Sequence, residues 1–128
     1  MLNKIFIMGR LTRDPELRRT QSGTAVTSFT LAVDRDFKGQ NGEKETDFLD
    51  VVAWRNTAEF VAKYFAKGRV AVVDGRLQIR DWTDKDGNKR SKAEVVADNV
   101  YFADSKKQES GYAPGGYIEI EDDGDLPF

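Results

Sequence analysis

The 128-residue chain contains no cysteine and no histidine. Their absence excludes thiolate nucleophiles, disulfides, the usual zinc sites, Ser-His-Asp and Cys-His catalysis, and imidazole proton transfer near neutral pH. Long apolar runs are missing too. The N-terminus offers only Ile5 to Met8, with no small-residue cleavage pattern, and nothing approaches the ~20 apolar residues that a bilayer-spanning helix needs. A soluble, cytoplasmic protein without membrane contact is the expectation. No motif for a cofactor is present, and carboxylates holding a hard metal are the one chemistry left to an enzyme. With 39% hydrophobic and 11% aromatic residues the chain has enough apolar material for one domain's core and too much for wholesale disorder.

Neither sign of charge dominates, since 20 Lys and Arg stand against 22 Asp and Glu, but the distribution is uneven. Residues 1–104 carry a balance of +2, and the last ten residues hold five acids and no base. A slightly basic body thus precedes an acidic terminus, and the overall charge says little about what the body binds.

Period-2 alternation runs through most of the body. Lys4 to Arg13 reads as a strand with Ile5, Ile7 and Leu11 on one face and Phe6, Met8 and Arg10 on the other, ended by Asp14-Pro15. Arg18 to Gly23 is polar and turn-rich. Ala25 to Asp34 resumes alternation with Phe29, Leu31 and Val33 together, and a hairpin loop with an Asn41-Gly42 turn leads into a strand over Thr46 to Arg55. One helix is predicted over Thr57 to Ala66, with Asn56 as N-cap, Glu59 three residues on, and Lys67-Gly68 as its stop. Strands return over Arg69 to Thr83 and Lys92 to Phe102, about a turn at Asp86-Gly87-Asn88. Five short strands with one helix between the third and fourth make an all-β fold, best matched by a five-stranded Greek-key barrel of the oligonucleotide-binding type (OB-fold). The expected division is a domain over residues 1–104, a Gly/Ser/Lys/Gln-rich linker over 105–118, and an acidic tip over 119–128.

The third and fourth strands carry the chemistry. In the third, Leu49, Val51 and Ala53 form an apolar face, which turns Phe48, Asp50, Val52 and Trp54 the other way. In the fourth, Val73, Leu77 and Ile79 take the core side and leave Arg76, Gln78, Arg80 and Trp82 opposite, provided that no bulge at Gly75 reverses the register. Outward aromatics interleaved with arginines suit single-stranded nucleic acid, whose bases offer π faces and whose phosphates need cations. A lone aromatic on a strand would belong to a core or a subunit contact, and here the alternation decides otherwise. Arg10, Arg35, Arg55, Arg76 and Arg80 lie within or at the ends of predicted strands and are the candidate phosphate contacts. At the terminus, Asp122, Asp123, Asp125, Leu126, Pro127 and Phe128 combine acids with an aromatic end, which a merely solubilising tail does not need; they form a compact anchor for a basic, apolar pocket on another protein.

These residues resemble the bacterial single-stranded DNA-binding protein family. The matching segments are Met1-Leu-Asn-Lys, Gly9-Arg-Leu-Thr-Arg-Asp-Pro-Glu-Leu-Arg18, Phe29-Thr-Leu-Ala-Val33, Thr46-Asp-Phe-Leu-Asp-Val-Val-Ala-Trp-Arg55, Ala58-Glu-Phe-Val-Ala62, Lys67-Gly68, Asp74-Gly-Arg-Leu-Gln78 and the terminal Asp-Leu-Pro-Phe. The resemblance implies base stacking on Phe37, Phe48, Trp54 and Trp82; of these, Phe37 is reached only through the resemblance. It also implies a homotetramer, a nucleoid-associated role in DNA replication, recombination and repair, and a tip that docks the enzymes of those processes. Three features depart from the family's pattern: the linker is shorter than in long-tailed members, Arg19 stands where an aromatic is common, and Gln21-Ser22 stands where Pro-Asn is frequent.

Three other readings are set beside it. An enzyme would have to use Asp47 and Asp50, or Asp81, Asp84 and Asp86, but the latter look like a hairpin turn and lack the distal glutamate of an EF-hand loop. A purely protein-binding module would bury the tryptophans in an interface. An RNA-binding or primosome-type accessory protein would share the barrel.

Overall fold

The computed structural model describes residues 1–104, and the expected linker 105–118 and tip 119–128 lie outside the described residues. Six strands and one helix follow in the order β1 (Ile5–Leu11), β2 (Glu16–Arg19), β3 (Ala25–Asp34), β4 (Thr46–Trp54), α1 (Arg55–Tyr64), β5 (Val70–Thr83) and β6 (Lys89–Phe102). The sheet runs β1-β5-β6-β4-β3-β2, and a further β1–β3 pairing, Arg10 with Ala32 and Leu11 with Leu31, closes five strands into a ring. β4 and β6 pair in parallel through Val51–Val95 and Val52–Val96; the other pairings are antiparallel. This is the five-stranded barrel of the OB-fold, with the helix connecting β4 to β5.

The alternation read from the sequence sets the interior. Phe29 and Leu31 of β3, Val51 and Ala53 of β4, Ala71 and Val73 of β5, and Val95 and Val100 of β6 are buried, and α1 covers them with Ala58, Val61 and the following Phe65. A side chain such as Phe29, at 1% exposure, contributes roughly 1.5–3 kcal/mol through burial. At Gly75, where β5 bends out of the barrel, a Cβ would fall on the Val96 carbonyl of β6, so only glycine allows that close backbone approach.

Several sequence expectations need correction. β2 is a sixth strand beyond the five expected, and its Arg18 and Arg19 fall in the stretch expected to be turn-rich: all four of its residues are exposed, so no alternation marks it, and it forms by pairing along the edge of β3, Arg18 opposite Val26. The helix begins at Arg55 rather than Thr57, with Trp54 at the N-cap position and no side-chain cap, so Asn56 caps nothing. The register does shift at Gly75, but the extra residue is Asp98 on β6, because Asp74 pairs with Asn99 and Gly75 with Ala97. The alternation of β5 therefore runs through unbroken. Leu77 and Ile79 do point to the side that Val73 occupies, yet they are 43% and 58% exposed, since β5 and β6 there extend beyond the barrel and no layer covers them.

Candidate nucleic-acid interface

Residues in register on neighbouring strands share a face, so the pairings define one continuous outer surface. Trp54 lies opposite Val26, which lies opposite Arg18. Phe48 lies opposite Ala32, and Ala32 opposite Arg10, so that Arg10 flanks Phe48 across β3. Through the β4–β6 pairing the surface continues to Val96, Glu94, Lys92 and Arg90, and from these to Arg76, Gln78, Arg80 and Trp82 on β5. A groove of about 510 Å³ crosses it, lined among others by Arg18, Arg19, Trp54, Gln78, Arg80 and Glu94. A second depression lies at the hairpin tip, between Trp82 and Arg90.

Phe48, Trp54 and Trp82 are 65%, 42% and 50% exposed, and Phe37, in the β3–β4 loop, is more exposed still. None of them belongs to the barrel core, and each presents ring surface to solvent. Phe37 stands apart from the strand face, on the loop that begins at Arg35.

The cations differ in how they are held. Arg80 Nε lies 3.1 Å from Glu94 Oε1, Lys92 Nζ lies 3.1 Å from Asp50 Oδ2, and Arg90 Nε donates to Asp84 Oδ2 at 2.9 Å. Arg76 donates to the Gln78 side-chain oxygen at 2.9 Å, and Arg10 donates to the Gly68 carbonyl at 2.7 Å. Arg35 is more committed: it meets Asp47 through two hydrogen bonds and Glu45 through a third at 2.7 Å, which ties its guanidinium to the root of the loop. Arg55 follows Trp54 at the start of α1, exposed and at φ +56°.

Four carboxylates on or beside this surface, Asp34, Asp47, Asp50 and Asp84, are held in their charged form. Hydrogen bonding from Arg35 lowers the Asp47 pKa, and the Thr46 hydroxyl does the same for Asp34. At Asp50 partial burial pushes the pKa up, but hydrogen bonds from Lys92 and Thr30 outweigh it and leave it below the usual value. Asp84 is lowered by the Asn88 backbone N–H and then by Arg90; it caps the hairpin turn with its acceptor oxygens. Of the acids that an enzyme would have to use, Asp47, Asp50 and Asp84 are thus each engaged by a cation of this chain, and among the described residues no group of three or more acids converges on one point.

The structure brings Arg76, Arg80, Trp54, Trp82 and Phe48 onto one surface, with Arg10 at its flank; it sets Phe37 and Arg35 on the adjoining loop and Arg55 at the helix start. Arg18, Arg19, Lys92 and Glu94 join the surface without being among the candidate contacts read from the sequence. Arg18 and Arg19 were missed because β2 has no periodic signature. Glu94 carried a usable signal, a single acid inside the apolar run Ala93 to Ala97. The six tip residues, Asp122, Asp123, Asp125, Leu126, Pro127 and Phe128, lie outside the described residues.

The sequence profile of the Single-strand binding protein family matches residues 2–103. Single-stranded DNA-binding protein 2 of Listeria monocytogenes is 51% identical over 106 residues, which are 83% of this chain and 66% of that protein. Single-stranded DNA-binding protein A of Bacillus subtilis is 49% identical over 119 residues, 93% of this chain and 69% of its own length. The single-stranded DNA-binding protein of Caldanaerobacter subterraneus is 46% identical over 129 aligned positions, covering all of this chain and 86% of that protein.

Proposed function

Because the chain belongs to the single-strand binding protein family, we propose that it binds single-stranded DNA without sequence preference, as a protecting and organising protein of DNA replication, recombination and repair. The observation that carries this is the outer surface of β4, β5 and β6, where Phe48 and Trp54 of β4 and Trp82 of β5 share a face with Arg76 and Arg80 of β5 and Lys92 of β6. Bases stack on the rings and cations follow the phosphates, at roughly 1–3 kcal/mol per stacked base. Duplex is disfavoured because pairing hides the base faces. Binding involves no turnover and no cofactor.

Phe37 extends the stacking track onto the β3–β4 loop, and Arg10, Arg35 and Arg55 add positive charge around it. A homotetramer is the assembly we propose. It is supported by the outward apolar side chains Phe6 and Met8 of β1, 68% and 59% exposed, beside exposed Tyr101, and by β1 having no strand partner on its other edge over residues 5–9. The tip, Asp122 to Phe128, is proposed to recruit partner enzymes of these processes; its support is the acidic, aromatic-ended sequence.

A tryptophan-fluorescence titration with oligo(dT), duplex of equal length and the matching ribo-oligomer tests the reading. Quenching by the DNA single strand alone is expected; quenching equal or stronger with the ribo-oligomer would favour an RNA-directed protein. Removing residues 119–128 should leave oligo(dT) affinity intact and abolish partner recruitment.

A further inference from the structure

Among the described residues Glu94 is the one charged side chain buried below a tenth exposure, and it lies on the surface proposed to receive a polyanion. A buried carboxylate costs desolvation, and facing phosphates it adds repulsion, so its presence calls for an offsetting role. Its Oε1 is wholly enclosed and accepts no hydrogen bond; the nearest cation is Arg80, whose Nε lies 3.1 Å away as an ion pair without the alignment of a hydrogen bond. The two side chains are otherwise unlike: Glu94 is 6% exposed at the groove floor, and Arg80 is 59% exposed above it. The backbone explains the approach, because Glu94 pairs with Gln78 and Arg80 with the adjacent Lys92, one step along the same face.

We infer that Glu94 is a positioning residue for DNA binding: its buried charge holds the Arg80 guanidinium by ion pairing at the groove that Trp54 also lines. Held by charge, the long Arg80 side chain is already restricted and is spared part of the loss of freedom that an unanchored arginine suffers when it meets a phosphate or a base. The pair at Lys92 and Asp50 differs in that both members are about equally exposed. The inference rests on the stacking surface being the DNA site.

The test is a double-mutant cycle on the full chain, with oligo(dT) affinity measured across a range of salt for wild type, Glu94→Gln, Arg80→Ala and the double variant. Glu94→Gln keeps the volume and removes the charge; an unchanged Tm shows that the fold is intact, and Glu94→Asp, which keeps the charge and shortens the reach, serves as the second variant. Anchoring predicts that Glu94→Gln and Glu94→Asp each weaken binding about fivefold. It also predicts a Glu94→Gln salt slope shallower by up to about 0.7, and no further loss when Arg80 is already alanine. Tighter binding by Glu94→Gln, or an equal effect in both backgrounds, would show a carboxylate that merely repels DNA and would overturn the anchoring alone. Arg80→Ala binding as tightly as wild type would overturn both the anchoring and this placement of the DNA site.

Discussion

Arg35 grips Asp47 with two hydrogen bonds, Nε to Oδ2 at 3.0 Å and Nη2 to Oδ1 at 2.9 Å, and this fork joins the two ends of the β3–β4 loop. Beside it Thr46 donates to Asp34 at 2.7 Å, and the Arg35 backbone N–H donates to the Glu45 carbonyl at 2.9 Å. The loop carrying Phe37 is thus pinned at its root, and its tip is closed by the Gly39 N–H donating to the Glu43 carbonyl and the Gly42 N–H to the Gly39 carbonyl, each at 2.9 Å.

Cutting the fork should free the loop without unfolding the barrel. Asp47→Asn is expected to lower Tm by no more than a few degrees, since exposed pairs contribute little. It should speed cleavage at Lys38 and Lys44 in limited trypsin digestion; an unchanged cleavage rate would mean that the fork does not restrain the loop.

Acid should act on the same root. Asp34, Asp47, Asp50 and Asp84 all have pKa values below the ordinary 3.8, so the folded state favours their charged forms more than the unfolded state does. Their contribution is therefore fully present above the unfolded value and lost as pH falls through the lowered folded values. Tm should hold steady from neutral pH down to about 5 and then drop, and the drop should be smaller in Asp47→Asn.

Trp54→Ala should weaken oligo(dT) binding by roughly 1–3 kcal/mol and leave far-UV circular dichroism unchanged, because the ring is 42% exposed and outside the core. The salt slope should change little, since a stacked ring releases no counterion. Arg76→Ala should do the reverse, with a slope shallower by about 0.7 if it contacts one phosphate. Filter binding or anisotropy across a salt series separates the two.

Gly75→Ala should destabilise the barrel by about 1–3 kcal/mol, because the added methyl meets the Val96 backbone, which has no flexible end to move aside. Urea denaturation measures it; a cost near zero would mean that β6 can yield at Asp98.

Alternation made much of this protein legible from its sequence. Successive side chains on a strand must point to opposite sides, so a run such as Phe29, Leu31, Val33 or Leu49, Val51, Ala53 designates an inner face, and with it the outer placement of Phe48 and Trp54. That rule is local, and so the limits of β3 and the outward aromatics of β4 and β5 followed from it. Tertiary structure alone decided the rest. β2 exists because the edge of β3 has unpaired backbone groups for Glu16–Arg19 to meet, and nothing within those four residues marks it. The bulge fell on Asp98 rather than Gly75, which kept the phase of β5, because two strands share each register and either can take the extra residue. Leu77 and Ile79 lie on the inner phase and are exposed, because a phase states a direction while burial requires another layer in that direction. The pairing of Arg35 with Asp47, and of Arg80 with Glu94, likewise depended on strands distant in sequence arriving side by side.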